Sequence, residues 1–175
     1  KGFSDVVLDG MADFQSDYVR NTTIVSTVLT DTHGNAVRIT DFAPRFRQYG
    51  RIFRPPQLFR IIEPVTGLPR ITIRIRPTHA YGKPLVRHSM GSNHIRYFEE
   101  DGTALRVTTD APLALIENET PFVLTRPMYL VFGNDEAFPG DLASTAQRFA
   151  EETKTYWLGW VRRLYISYEW QEAII

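Results

Sequence analysis

The sequence predicts an all-β, antiparallel sandwich followed by a single amphipathic helix. Three observations carry that reading. Short stretches alternate apolar and polar residues, as half-buried strands do. Turn clusters separate them at close, regular spacing, the pattern of a sandwich. From Pro139-Gly140-Asp141 onward, apolar residues recur every three or four positions instead. No strand–helix–strand rhythm runs through the chain, so a parallel α/β sheet is not expected.

Taken in order, Tyr18 to Thr30 reads as a β-branched strand, and Asp31-Thr32-His33-Gly34-Asn35 as a turn. Ala36 to Phe42 resumes the alternation and completes a hairpin. Ala43 to Pro56, punctuated by prolines, reads as a long loop carrying Arg45, Arg47, Arg51 and Arg54 beside Phe46, Tyr49 and Phe53. Gln57 to Ile62 is a strand, and Glu63-Pro64-Val65-Thr66-Gly67 a turn. Arg70 to Arg76 gives the cleanest alternation, with Ile71, Ile73 and Ile75 on one face. Further strands are expected at Leu85 to Ser89, His94 to Glu99, Ala104 to Thr109, Leu113 to Glu117, Pro121 to Thr125 and Met128 to Phe132. Asp141 then suits the N-cap of a helix whose apolar stripe includes Leu142, Ala146, Phe149, Thr153, Tyr156, Trp157, Trp160 and Leu164. Ser167 suits the cap of a second helix containing Trp170.

At 175 residues and 43 % apolar content, the chain is long enough to bury a core. Twenty basic side chains balance twenty acidic ones, so no global field attracts a polyanion, and bulk nucleic-acid binding is not expected. Lysine occurs only at Lys1, Lys83 and Lys154, and the remaining cations are arginine, which favours bidentate contacts to carboxylates and aromatic faces. The absence of cysteine excludes disulfides and thiolate chemistry in this segment. No apolar run has the length of a membrane span and no signal peptide is visible. The chain opens at Lys1 without methionine and reads as a piece of a longer protein, expected in the cytoplasm.

Few residues suggest chemistry. His33, His79, His88 and His94 lack the spacings of a metal site, and neither a metal nor a cofactor is expected. His88 and His94 lie near Ser89 and Ser92, but there is no nucleophile elbow and no orienting acid, so they read as polar residues of a strand corner. Gly82, Gly91 and Gly102 are isolated turn glycines, not a phosphate cradle. The pairs Glu99-Glu100 and Glu151-Glu152 are sequence neighbours that do not converge as an acid and a base. The arginine–aromatic stretch from Arg45 to Arg60 fits domain docking, a solvated connection or polyanion contact. In a neutral chain without a nucleic-acid module, docking is the reading carried forward.

Several ordered motifs carry a resemblance. Tyr18-Val19-Arg20-Asn21-Thr22 precedes Ile39-Thr40-Asp41-Phe42-Ala43-Pro44-Arg45-Phe46, and then come Phe53-Arg54-Pro55 and Arg74-Ile75-Arg76-Pro77. Gly91-Ser92-Asn93-His94-Ile95-Arg96-Tyr97, Thr108-Thr109-Asp110-Ala111-Pro112 and Glu119-Thr120-Pro121-Phe122 follow. Tyr156-Trp157, Trp160 and Glu169-Trp170-Gln171-Glu172-Ala173 close the series. Together they resemble the N-terminal β-domain and linker of bacterial proteins in glycoside hydrolase family 15, which includes glucoamylases, glucodextranases and trehalases.

That resemblance implies a β-supersandwich fragment over residues 1–138, with its earliest strands missing, and a linker helix over 139–166. It implies the start of the first helix of an (α/α)6 catalytic barrel over 167–175. It also implies hydrolysis of α-glucosidic bonds with inversion, by two glutamates of the barrel, so no catalytic residue is expected in this chain. The implied partners are that barrel and, mainly through it, a carbohydrate substrate. Arg45, Arg47, Arg51, Trp157, Trp160 and Trp170 are the residues expected at the interdomain interface. An isolated fragment is expected to cover its tryptophans by self-association. The alternative is a stand-alone, non-enzymatic β-sandwich that binds carbohydrate or a protein.

Overall fold

A computed structural model describes residues 2–79, 82, 83, 85, 87–138 and 140–163. An eight-stranded antiparallel sheet is covered on one face by a three-stranded sheet and on the other by the C-terminal helix. The large sheet runs in the order β2 (Met11–Tyr18), β3 (Val25–Asp31), β4 (Ala36–Phe42), β7 (Leu58–Thr66), β13 (Met128–Asn134), β11 (Ala104–Thr109), β10 (His94–Phe98), β9 (Arg87–Met90). The small sheet has β8 (Arg70–Arg76) at its centre, flanked by β1 (Phe3–Leu8) and β12 (Phe122–Val123). The all-β fold class and its antiparallel pairing thus match the sequence reading.

The alternation in β8 explains the sandwich interior. Ile71, Ile73 and Ile75 are buried, joined by Val6 and Leu8 of β1, against Val37, Ile39, Ile62, Ile95, Val107 and Leu130 of the large sheet. Burying a side chain of this size contributes roughly 1.5–3 kcal/mol. The opposite face of β8 is ionic, with Arg74 paired to Asp5 and Arg76 to Glu119. Polar ties also join the two sheets, and the strongest is ionic. Arg60 grips Asp41 through two bonds of 2.7 and 2.9 Å and donates from Nη1 to the Ser4 carbonyl at 3.1 Å.

The second core lies on the other face. Phe42, Phe59, Ile61, Tyr129 and Val131 project from the large sheet toward α2 (Leu142–Val161), which contributes Ala146 and Phe149. The helix begins as its sequence predicts, with the Asp141 carboxylate accepting the Ser144 N–H at 2.7 Å.

Several elements differ from expectation. Leu113 to Glu117 is not a strand but a short helix, α1, entered from Pro112. Buried Ile116 and half-buried Leu113, three apart, both meet the core, and helical spacing satisfies that. Ala43 to Pro56 is not a plain loop. It contains the hairpin of β5 (Phe46–Gln48) and β6 (Arg51–Phe53), turned by Tyr49 and Gly50 at positive φ of 48° and 74°. Phe46 and Phe53 are cross-strand partners whose rings pack on Phe149.

The turn placed at Glu63–Gly67 starts later, because β7 continues through Pro64 to Thr66. Proline is tolerated there because the β13 ladder stops at the Ile62–Met128 pair, and the β4 ladder shifts register beside it. Tyr18 to Thr30 is two strands rather than one, since Tyr18 ends β2 and Val25 opens β3. β1 and all of β2 but Tyr18 precede the strands read from the sequence. Leu164, Ser167 and Trp170 lie outside the described residues, as does the expected second helix over 167–175. Among the described residues, no helix is long and apolar enough to cross a membrane.

Candidate docking site

The C-terminal half of α2 is held in place before it presents anything. Phe149 sits 5.0 Å from Phe46, 5.4 Å from Phe53 and 5.5 Å from Phe59, centroid to centroid. One turn on, fully buried Thr153 accepts the backbone N–H of Arg45 through Oγ1 at 3.1 Å. Arg45 Nε then donates to the Tyr156 phenol oxygen at 3.3 Å, and its guanidinium lies 5.6 Å from the ring centroids of both Tyr156 and Trp157.

Beyond this clamp the helix ends in an aromatic ledge. Trp157 meets Tyr156 and Trp160 edge-on, at 5.4 and 5.9 Å. Trp160 is 43 % exposed, while the Trp157 Nε1 is buried without a hydrogen-bond partner among the described residues. The ledge forms one wall of a cleft of about 520 Å³, whose other wall is the connection from β2 to β3. That connection is shaped by Asn21 in the left-handed region, at φ 60°. It is locked by Thr22, whose Oγ1 donates to the Val19 carbonyl at 2.7 Å and accepts the Ile24 N–H at 3.1 Å. Tyr18, Val25 and Thr23 complete the lining together with Arg20 and Val161.

The cleft therefore offers indole and phenol faces beside an amide and two hydroxyls, and no carboxylate lines it among the described residues. Elsewhere several acidic groups are engaged structurally. Asp110 pairs with Arg126, Glu117 lies 2.7 Å from His88 Nε2, and Glu152 pairs with Arg148 one helical turn away. His94 contacts Asn93 through Nδ1 at 3.1 Å. Among the described residues, no three His, Cys, Asp or Glu side chains are placed to hold a metal ion.

Of the residues expected at an interface, Arg45, Trp157 and Trp160 come together on and beside α2. Arg45 is spent largely on the chain's own helix. Arg47 and Arg51 are exposed on the β5–β6 hairpin, and Trp170 lies outside the described residues. The sequence reading did not find the opposite wall. Its signal was the Arg20-Asn21-Thr22 segment, a polar break between Tyr18 and Ile24 that the surrounding β-branched residues conceal. No protein-family model, curated protein or solved structure matches this chain.

Proposed function

We propose that this chain is the non-catalytic β-sandwich portion of an inverting hydrolase of α-glucosidic bonds, of the glycoside hydrolase family 15 type. On this reading it supports a helical catalytic barrel in a bacterial, cytoplasmic protein of carbohydrate metabolism. The observation that carries the reading is the aromatic ledge of Trp157 and Trp160, fixed by buried contacts on one side and open on the other. Large apolar rings held at a surface mark a place where another surface packs. The ordered motifs from Tyr18 to Ala173 supply the identity of that second surface.

Two measurements test the reading. The purified chain, given maltose, isomaltose, dextran or trehalose, releases no glucose. In the intact parent protein, Trp160→Ala lowers the melting temperature and the turnover together. Glucose release by the chain that vanishes on replacing one of its own carboxylates would refute the non-catalytic assignment. The open ledge also predicts concentration-dependent self-association of the isolated chain, read by sedimentation and relieved by Trp160→Ser.

The second reading, a stand-alone carbohydrate-binding sandwich, is favoured by the cleft itself. Its volume of about 520 Å³ falls within the usual range of small-ligand sites, and aromatic plates beside Asn21, Thr22 and Thr23 suit a neutral sugar ring. Quenching of tryptophan emission by maltotriose, abolished by Trp157→Ala, distinguishes this reading from the first.

A further inference from the structure

A cluster of charges on the large sheet is not used by either reading. β10 and β11 set Arg96 directly opposite Arg106. Like charges facing each other across a strand pair destabilise it unless something compensates. Among the described residues a single carboxylate pairs with both, Asp135 Oδ1 being 3.0 Å from Arg96 Nε and 3.5 Å from Arg106 Nη1. The cluster therefore holds two fixed positive charges against one negative charge. Burial makes the imbalance matter, because the Arg106 side chain is only 9 % exposed and water screens it poorly.

Two further observations point the same way. Arg96 Nε, though close to Asp135, is buried and makes no aligned hydrogen bond. His94, two residues before Arg96 on the same face of β10, has its imidazole held below its usual pKa by burial and then by Arg106 and Arg96, with Asp135 opposing them. The two arginines thus act on His94 in the same direction as burial. Arg106 Nε also donates to Thr108 Oγ1 at 3.2 Å, and Ser89 of β9 stands opposite Arg96. Arg96 remains 38 % exposed, so a group from outside can reach it.

We propose that Arg96, Asp135 and Arg106 form a docking point for one carboxylate side chain, an aspartate or glutamate presented by a partner protein surface. One added negative charge brings the cluster to neutrality, and a planar carboxylate matches the guanidinium fork. Arg96 makes the contact while Arg106 supplies the buried field. The proposal is independent of the hydrolase reading, since it requires an acidic partner surface and no particular catalytic activity.

The test uses the purified chain at low ionic strength and a hexaglutamate peptide, with hexaglutamine as control, followed through backbone amide shifts of β10 and β11. Binding of hexaglutamate alone is expected. Asp135→Asn, which raises the local charge from one to two, should tighten binding at least threefold. Arg96→Gln, at an exposed position and checked for an unchanged thermal melt, should weaken it at least fivefold. Arg47→Gln, exposed on the distant hairpin, should leave it unchanged. An unaltered affinity in Asp135→Asn, or equal losses in the two arginine variants, overturns the proposal. If inorganic phosphate displaces the peptide at lower concentration than glutarate does, the site takes a free anion, and a protein carboxylate is the wrong occupant.

Discussion

Replacing Phe149 by alanine tests the attachment of α2 to the sheet. The side chain is buried, and its ring touches Phe46, Phe53 and Phe59 at centroid distances between 5.0 and 5.5 Å. Truncating a buried phenylalanine costs about 3–5 kcal/mol when the surroundings do not collapse into the space. Two of the three partner rings come from the short β5–β6 hairpin, which among the described residues has no strand neighbour beyond itself. The lower half of that range, about 3–4 kcal/mol, is therefore expected, because the hairpin can close part of the gap. Against a total stability of about 5–15 kcal/mol, this is a large share. Urea unfolding followed by tryptophan fluorescence gives the loss, and amide exchange locates it: α2 should open before β8 does. Phe149→Leu, keeping most of the volume, should cost no more than about 1.5 kcal/mol. A Phe149→Ala variant destabilised by under about 1 kcal/mol, with α2 still protected, would refute the claim that this ring fastens the helix.

Three other outcomes are expected. Arg60→Ala leaves Asp41 without its charge partner between the sheets and should cost about 3–5 kcal/mol, much of it regained in the Arg60→Met/Asp41→Leu double variant, as urea unfolding would measure. The Asp141 carboxyl is held below its ordinary value of 3.8 by the Ser144 N–H it accepts, so its capping contribution is complete above that value. It is lost as pH falls through the lower folded value, and Asp141→Ala should flatten the acid limb of the stability curve. Burial pushes the Tyr97 phenol up to about 12, so the folded state holds its proton after the unfolded chain has released it. Stability should then fall as pH climbs from about 10 toward 12, a decline that Tyr97→Phe removes.

What was legible in the sequence was whatever a two-residue or 3.6-residue period writes into it. β8 stands out because one face is isoleucine and the other is charged, and α2 because its stripe and its Asp141 cap agree. Leu113 to Glu117 was misread because five apolar-rich residues are too short for either period to declare itself, and only the packing of Ile116 decides. The β5–β6 hairpin was hidden by the prolines that flank it and by the exposed Arg47 and Arg51, while Phe46 and Phe53 do the packing. Of the residues expected at an interface, Arg45, Trp157 and Trp160 lie together because the aromatic stripe of α2 carries Tyr156 and Trp157 beneath the Arg45 guanidinium. Tyr18 and Asn21 were not read as part of the site, because they reach the cleft only after a left-handed residue turns the chain between β2 and β3. The opposition of Arg96 and Arg106 depends on strand register, which no local pattern specifies.

The pairing of β1 with β8 has a consequence for how the molecule assembles. Its ladder runs from Phe3–Arg76 to Leu8–Ile71, so the first strand finds no partner in the small sheet until the chain has passed through four strands of the large one and a hairpin. β12 then adds to the other side of β8 from still further along. Closing such long loops is entropically costly before any contact compensates, and chains dominated by distant pairings fold in roughly milliseconds to seconds. During synthesis Val6 and Leu8 lack their ladder partner until β8 emerges, and the large sheet waits longer still, because β13, which joins β7 to β11, follows every strand of the small sheet in the chain.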